Sequence, residues 1–161
     1  MASESDLCLS YSRLRSVALE RSSTWKLARA TGPKDGEAFV SIMKTADTMR
    51  SDPDFAGLMI RCAPKGKIDV LIALIQPFPP QSHPQVTISS GSNSQVFEAT
   101  VTAAGAAVIL PEEAATLAQG PWQSLSSLSI SAKENDSEIK GVVVLDGLRA
   151  AYNLLTSSCA Q

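Results

Sequence analysis

The sequence predicts a mainly β fold: an antiparallel sandwich or curved sheet of about eight short strands, with a C-terminal α-helix and one or two short helices. Short segments in which apolar and polar residues alternate recur along the chain, as is typical of half-buried strands. Clusters of Gly, Pro, Ser and Asn separate these segments and indicate turns. Because the strands follow one another without intervening long helices, we do not expect βαβ units.

Residues 1–23 are predicted to form a short helix or a loosely held arm, ahead of a single β-rich domain over residues 24–161. Four residues of the first segment have helical spacing: Leu7, Tyr11, Leu14 and Ala18. In the alternative, Cys8 ties down an arm. No internal repeat or long linker divides the rest of the chain.

The first strands are predicted at Trp25–Ala28, Glu37–Thr45, Leu58–Cys62 and Ile68–Ile75. Turns are expected between them at 32–36, 51–54 and 64–67, where Gly, Pro, Asp and Lys are concentrated. The strand Ile68–Ile75 is the most apolar part of the chain and is rich in β-branched residues. We therefore expect it to be a central strand covered on both faces.

Beyond a proline-rich loop at 77–84, the pattern predicts further strands at 85–89, 95–102, 106–110, 127–133 and 138–145. In the second of these, Phe97, Ala99 and Val101 are expected to point to one face. A short helix is predicted from Pro111 to Ala118, with acidic residues in its first turn and Gly120 after its end. A C-terminal helix is predicted from Gly147 to Ser158, capped by Asp146.

The net charge of the chain argues against nucleic acid as a partner, and its hydropathy argues against a membrane-spanning helix. The 161 residues include 14 Lys and Arg against 16 Asp and Glu, which leaves a net charge of −2 at pH 7. This balance disfavours nucleic acid as a partner. No apolar run approaches the roughly 20 residues that a membrane-spanning helix needs. We expect a protein partner and no membrane span, with the oligomeric state left open.

The sequence contains few of the residue combinations that form catalytic sites. His83 is the single histidine, so a Ser-His-Asp or Cys-His site has one possible base, located in a proline-rich loop. No nucleophile elbow, phosphate-binding loop or metal-ligand spacing is present. The pairs Glu112-Glu113 and Asp52/Asp54 are typical of a helix start and a turn. The sequence therefore predicts no catalytic residue, no metal and no cofactor; a hydrolase that uses an acidic pair is the alternative.

The cysteines Cys8, Cys62 and Cys159 are widely separated. They are either three buried thiols or one disulfide plus one free thiol. Any of the three pairings fits the residues alone.

Two segments together resemble known families. The first is the strand Gly57–Cys62, which ends in Arg-Cys. The second is Val142–Leu155, a strand that leads into a helix and is followed by Cys159. The second segment resembles the C-terminus of small periplasmic proteins of the invasion-associated locus B family. The first, with Trp25 and the terminal cysteine, resembles type VI secretion-associated accessory proteins of the VasI/TagO kind.

These resemblances imply a small exported bacterial domain with disulfides and no established catalytic residue. They imply a bridge between Cys62 and Cys159. The chain departs from the invasion-associated family at residues 96–145, which contain no cysteine where that family usually has further pairs.

The sequence as a whole predicts a non-enzymatic binding or accessory module of the cell envelope, of secretion machinery or of host interaction. We expect it in the periplasm or secreted, after removal of a signal peptide; a cytoplasmic interaction scaffold is the alternative. Partner contact is expected at the stiff proline-rich loop or at a sheet edge. The candidate partner-binding residues are Pro77, Phe78, Pro79, Pro80, His83 and Trp122.

Overall fold

The fold is taken from a computed structural model that describes residues 25–31, 38–63, 66–102 and 106–159. Within these ranges the chain forms ten strands and two α-helices, together with two short 3₁₀ helices at Thr48–Arg50 and Pro121–Ser124. The helices are α1 (Glu112–Gln119) and α2 (Leu148–Cys159). The strands are β1 (Lys26–Thr31), β2 (Ala38–Thr45), β3 (Phe55–Cys62), β4 (Ile68–Leu74), β5 (Gln85–Ser90), β6 (Asn93–Glu98), β7 (Thr100–Val101), β8 (Ala107–Ile109), β9 (Ser127–Glu134) and β10 (Ser137–Val144).

The strands form two antiparallel sheets, which confirms the predicted fold class. The first sheet has the order β1-β2-β3-β4-β8-β7, and the second has the order β10-β9-β5-β6. We call them sheet A and sheet B. The predicted N-terminal helix or arm with Cys8, the turn at 32–36 and the first two residues of the turn at 64–67 lie outside the described residues.

Sheet A turns one apolar face inward. Ile42 pairs with Ile60, and Ile60 pairs with Val70, so one row of β-branched side chains crosses three strands and all three are buried. The predicted central strand is β4, which lies between β3 and β8. Leu71, whose side chain points to the opposite face, is also buried, so the middle of this strand is covered on both sides.

Sheet B shows the alternation of apolar and polar residues that is expected when one face of a sheet is buried and the other faces solvent. Its inner face carries Val86, Ile88, Leu128, Ile130 and Ala132, all buried. The residues between them along each strand are Thr87, Ser129 and Ser131. Burial of the inner row against sheet A and the helices is the main stabilising term, since each large apolar side chain contributes roughly 1.5–3 kcal/mol.

The prediction of one strand over 95–102 is wrong. The chain leaves sheet B after Glu98 and enters sheet A at Thr100. The predicted facing is nevertheless confirmed, because Phe97, Ala99 and Val101 are all buried. Both halves of the segment point into the same core, so the alternation continues through the crossover and conceals it.

Helix α2 covers part of the inner face of sheet A. It packs on β2 and β3 through a buried row that includes Leu148, Tyr152 and Leu155. The helix begins at Leu148, one residue later than predicted, because Gly147 has a positive φ of 84° and forms a turn before it. Neither described α-helix is long and apolar enough to cross a membrane.

Candidate functional site

The edge strand β6 leaves a row of backbone groups without a neighbouring strand. A two-residue turn joins β5 to β6, and Ser90 pairs with Asn93. The backbone N–H of Ala99 donates to the carbonyl of Pro84 at 2.9 Å. Since hydrogen-bonded and non-bonded pairs alternate in an antiparallel ladder, the odd-numbered residues of β6 bond to β5. The N–H and C=O groups of Ser94, Val96 and Glu98 therefore point away from the sheet.

No described strand or turn pairs with these outward groups. The side chain of Val96, in the middle of the strand, is 62% exposed. An edge of this kind is a template for another extended chain.

The opposite edge of sheet B is blocked by the chain itself. Residues 47–52 run along β10, where the N–H groups of Asp47 and Asp52 donate to the carbonyls of Val142 and Lys140, each at 2.8 Å. In return, the N–H of Lys140 donates to Asp52 Oδ2 at 2.8 Å and the N–H of Val142 donates to Ser51 Oγ at 2.9 Å. The middle of one edge of the sheet is thus bonded to the chain itself, whereas no described segment pairs with the edge at β6.

A cavity of 420 Å³ lies between the inner face of the β5–β6 hairpin and the segment that follows α1. One wall is polar and contains Ser90, Asn93 and Gln95; the other is apolar and contains Leu117, Trp122 and Leu125. Gln95 is on the inner face of the sheet, because it pairs with the buried Ile88, yet it is exposed. The two layers are therefore not in contact at this point.

A second cavity, of 450 Å³, continues along the same strand. Its strand wall is Gln95–Glu98, and its opposite wall is Pro111 and Glu113 at the start of α1. Gln95 lines both cavities, so together they form one groove between β6 and the α1 region. We call it the β6 groove. Each cavity has room for roughly two to three residues of extended chain at ordinary strand spacings.

The predicted partner-binding residues fall into two groups. Phe78 and Trp122 are 4% and 3% exposed and belong to the hydrophobic core. Trp122 nevertheless lines the β6 groove. Solvent reaches Pro77, Pro79, Pro80 and His83.

His83 lies beside the end of β6 on the outer face of sheet B, where its Nδ1 atom is 4.0 Å from Glu98 Oε1. Of the predicted residues, Trp122 lines the β6 groove, His83 lies outside it, and Phe78 is in the core.

Cys62 and Cys159 form a disulfide, with their Cα atoms 6.0 Å apart. This is the bridge that the family resemblance implies. It joins the last residue of β3 to the last residue of α2, so it fastens the helix to sheet A.

The acidic pairs noted in the sequence, Asp52/Asp54 and Glu112-Glu113, lie in separate parts of the fold. Asp52 is used by the edge of β10, as described above, and Glu112 and Glu113 occupy the first turn of α1. Glu98 and Glu113 do share one cavity, and both are exposed. In the described part of the chain, no group of three or more His, Cys, Asp or Glu side chains could hold a metal ion.

Among the described residues, four groups outside the groove have shifted pKa values. Burial lowers the pKa of Lys44, although the nearby Asp146 acts in the opposite direction. Burial raises the pKa of Tyr152. A hydrogen bond from Arg50 holds the pKa of Asp47 below its usual value, and a hydrogen bond from Ser131 does the same for Glu138.

Sequence reasoning missed Gln95, Glu98 and Glu113. One signal was available: β6 reads Asn-Ser-Gln-Val-Phe-Glu, with polar residues at both inner and outer positions. Such a strand cannot be covered on either face along its length, so it is expected at an edge with an open side.

Comparison with known proteins finds one solved structure of the same overall shape. It is the crystal structure of invasion associated protein B from Bartonella henselae, which superposes with a TM-score of 0.50 at 15% sequence identity. The match covers 86% of this chain and 96% of that chain. The two chains share a fold. No family model and no curated protein matches the sequence.

The shared fold agrees with one of the two resemblances seen in the sequence, that to the invasion-associated family. At this identity the likeness concerns the fold alone, because one fold carries many functions. The resemblance to the VasI/TagO kind stays a prediction.

Proposed function

We propose that this protein is a non-enzymatic, exported bacterial module that binds an extended segment of a partner protein by strand addition to β6. The open edge of β6 is the observation that carries the proposal. The likeness in fold to an invasion associated protein supports a role in host interaction or at the cell envelope.

Strand addition suits this site because backbone groups supply the affinity. Ser94, Val96 and Glu98 offer three outward N–H and three outward C=O groups in a row. A peptide that pairs with them continues sheet B, and the adjoining groove receives alternate side chains of the peptide. The blocked edge at β10 leaves β6 as the edge of sheet B that is open to a ligand.

Export is supported by the disulfide. Disulfides persist in oxidising compartments such as the periplasm and are reduced in most cytosols. The Cys62–Cys159 bridge is therefore expected in a protein that works outside the cytoplasm.

The test uses a library of random ten-residue peptides displayed on phage, selected on the disulfide-bonded protein. Selected peptides are synthesised and titrated against wild type, Val96→Pro and Val96→Ala. Proline removes one outward N–H, and alanine keeps it while removing the side chain. We expect Val96→Pro to weaken binding at least tenfold and Val96→Ala to weaken it less than threefold.

Amide hydrogen exchange supplies a second readout. A bound peptide should slow exchange at Ser94, Val96 and Glu98. The proposal is overturned if no peptide is selected, if Val96→Pro binds as well as wild type while remaining folded, or if a bound peptide protects none of these amides.

A further inference from the structure

We infer that the edge of β6 also pairs with β6 of a second copy of this chain, about a two-fold axis at Val96, and that this self-pairing regulates the proposed peptide site by occupying it. The regulatory part of the inference rests on the proposed strand addition, whereas the self-pairing rests on the edge alone. It follows because the outward positions of the edge complement those of the same edge running in the opposite direction.

One antiparallel register of β6 with its copy uses every outward backbone group. A two-fold axis places residue i opposite residue j of the copy and residue j opposite residue i. With Val96 opposite Val96 of the copy, Ser94 lies opposite Glu98 of the copy. All three outward positions of each strand then form hydrogen-bonded pairs, and each pair exchanges two backbone hydrogen bonds. The two copies of sheet B become one continuous sheet, with four strands from each copy.

A shift of two residues in either direction leaves part of the edge unpaired. In one direction Glu98 meets Ser92, which lies in the turn between β5 and β6. In the other direction Ser94 meets Thr100, which is already paired with Ile109 in sheet A. Either shift leaves two hydrogen-bonded pairs in place of three. The edge therefore favours the register centred on Val96.

The side chain of Val96 gains an apolar contact in this register. Val96 lies on the outer face of sheet B, because it pairs with Thr87 of β5 while its neighbour Phe97 points into the core. It is 62% exposed. In a hydrogen-bonded antiparallel pair the two valine side chains lie side by side on the same face, so each removes apolar surface of the other from water.

The polar side chains of the edge are also complementary. Ser94 Oγ accepts a hydrogen bond from Ser89 Oγ at 3.1 Å, which leaves the Ser94 hydroxyl hydrogen to be donated. In the register centred on Val96 it faces the carboxylate of Glu98 of the copy, a side chain that is 76% exposed. The two Glu98 residues of the dimer are four positions apart along the paired strands, about 14 Å, so their repulsion is screened at physiological salt.

Self-pairing and peptide binding exclude each other. Both use the outward N–H and C=O groups of Ser94, Val96 and Glu98, and each of these groups can pair with one neighbouring strand. Because the peptide binds only the monomer, its apparent affinity falls as the dimer accumulates. The second copy is thus a concentration-dependent inhibitor of the proposed site.

Sedimentation equilibrium of the disulfide-bonded protein, from about 1 μM to about 1 mM, tests the self-pairing. We expect a monomer–dimer equilibrium within this range. Val96→Pro should weaken the dimer at least tenfold, because both copies lose the N–H that pairs across the axis. Circular dichroism checks that this variant is folded.

Charge variants test the register without touching the backbone. Ser94→Glu places a carboxylate opposite Glu98 at two symmetric positions and should weaken the dimer about three- to tenfold, since like charges directly opposite one another are destabilising. Ser94→Glu/Glu98→Lys restores opposite signs and should return the dimer to within about twofold of wild type.

Ser129→Glu is the matched control for the charge variants. It adds the same charge to the same outer face, but on β9, with β5 between it and the edge. It should leave the dimer unchanged. A peptide from the phage selection, added at saturation, should convert the wild-type dimer into peptide-bound monomer.

The outcomes separate the two proposals. A protein that stays monomeric up to about 1 mM, or a dimer that Val96→Pro and Ser94→Glu leave unchanged, overturns the inference and leaves strand addition by a partner peptide standing. A peptide that binds at the edge without dissociating the dimer overturns the regulatory role. A dimer that behaves as expected while no peptide binds the edge overturns the proposed function, and the regulatory role falls with it.

Discussion

The ring of Phe55 in β3 lies directly against the backbone of Gly141 in β10, and a Cβ atom added at Gly141 would overlap that ring. The contact joins sheet A to sheet B. Both residues are buried, so neither side can yield without disturbing the packing of the two layers.

We therefore expect Gly141→Ala to lower the free energy of unfolding by about 1–3 kcal/mol, the range for an overpacked core. Urea unfolding at 25 °C measures it. Phe55→Leu in the same chain should relieve part of the overlap, so the double variant should lose less than the two single losses added together. Strictly additive losses would show that the two residues do not press on each other.

Removal of the disulfide should destabilise the fold without changing it. The bridge spans a sequence separation of 97 residues, and closing a loop of this size is worth about 2–4 kcal/mol in practice. Cys159→Ser is expected to lose that much, measured by urea unfolding under non-reducing conditions. Wild type unfolded in the presence of a thiol reductant is the control and should match Cys159→Ser.

The pairing itself is checked by mass spectrometry. The natively expressed protein is alkylated under denaturing, non-reducing conditions, and peptides are then mapped. One alkylated cysteine and a linked Cys62–Cys159 peptide are expected for an exported protein. Three alkylated cysteines would contradict export and favour the cytoplasmic scaffold.

Acid should loosen the segment that blocks the edge of β10. Asp47 accepts hydrogen bonds from the N–H of Met49 at 3.0 Å and from Arg50 Nε at 2.8 Å. These bonds hold its pKa below the ordinary 3.8. Because the folded pKa is the lower one, the carboxylate stabilises the fold above about pH 4, and this contribution disappears as pH falls through the lowered pKa.

Thermal unfolding between pH 2 and pH 7 tests this expectation. Asp47→Asn should melt below wild type at pH 7, and the two curves should converge near pH 2. Asp54→Asn, an exposed residue in the nearby turn, is the control and should follow wild type throughout. A gap between wild type and Asp47→Asn that stays constant with pH would refute the role of the charge.

Arg61 and Asp69 form a partly buried pair on the outer face of sheet A. Arg61 Nη2 lies 2.9 Å from Asp69 Oδ2, and the two side chains are 26% and 13% exposed. The guanidinium also lies 5.0 Å from the centre of the Phe39 ring. The charge of Arg61 is thus engaged within the sheet.

Arg61→Ala is expected to cost about 1–3 kcal/mol, because Asp69 would lose its close cationic partner. Lys67 is a poor substitute at 3.9 Å. The double variant Arg61→Ala/Asp69→Ala should cost less than the sum of the two single variants. Equal costs for the double variant and the sum would show that the pair is not coupled.

Local pattern predicted most of the individual strands. The strand predicted at Leu58–Cys62 lies within β3, and the strands predicted at 127–133 and 138–145 match β9 and β10 to within one residue at each end. These elements are determined by residues close to one another in sequence, so the local alternation of apolar and polar residues is enough to predict them.

The β6 groove could not be predicted in the same way. Glu98 and Glu113 are 15 positions apart and come from a strand and a helix in different layers. Their proximity depends on the crossover at Ala99 and on the path of the chain through β7 and β8. The crossover itself left no trace in the alternation, because Ala99 is fully buried between the two sheets.

The bridge between Cys62 and Cys159 also turns most of the molecule into a covalent ring. Strands β4 to β10, both α-helices and the whole β6 groove lie inside it, whereas the segment 47–52 lies outside. A protease that cuts once within the proline-rich loop at 77–84 opens the ring but releases no fragment. The C-terminal fragment carries the whole β6 groove, and its covalent link to the N-terminal fragment is lost only when the bond is reduced.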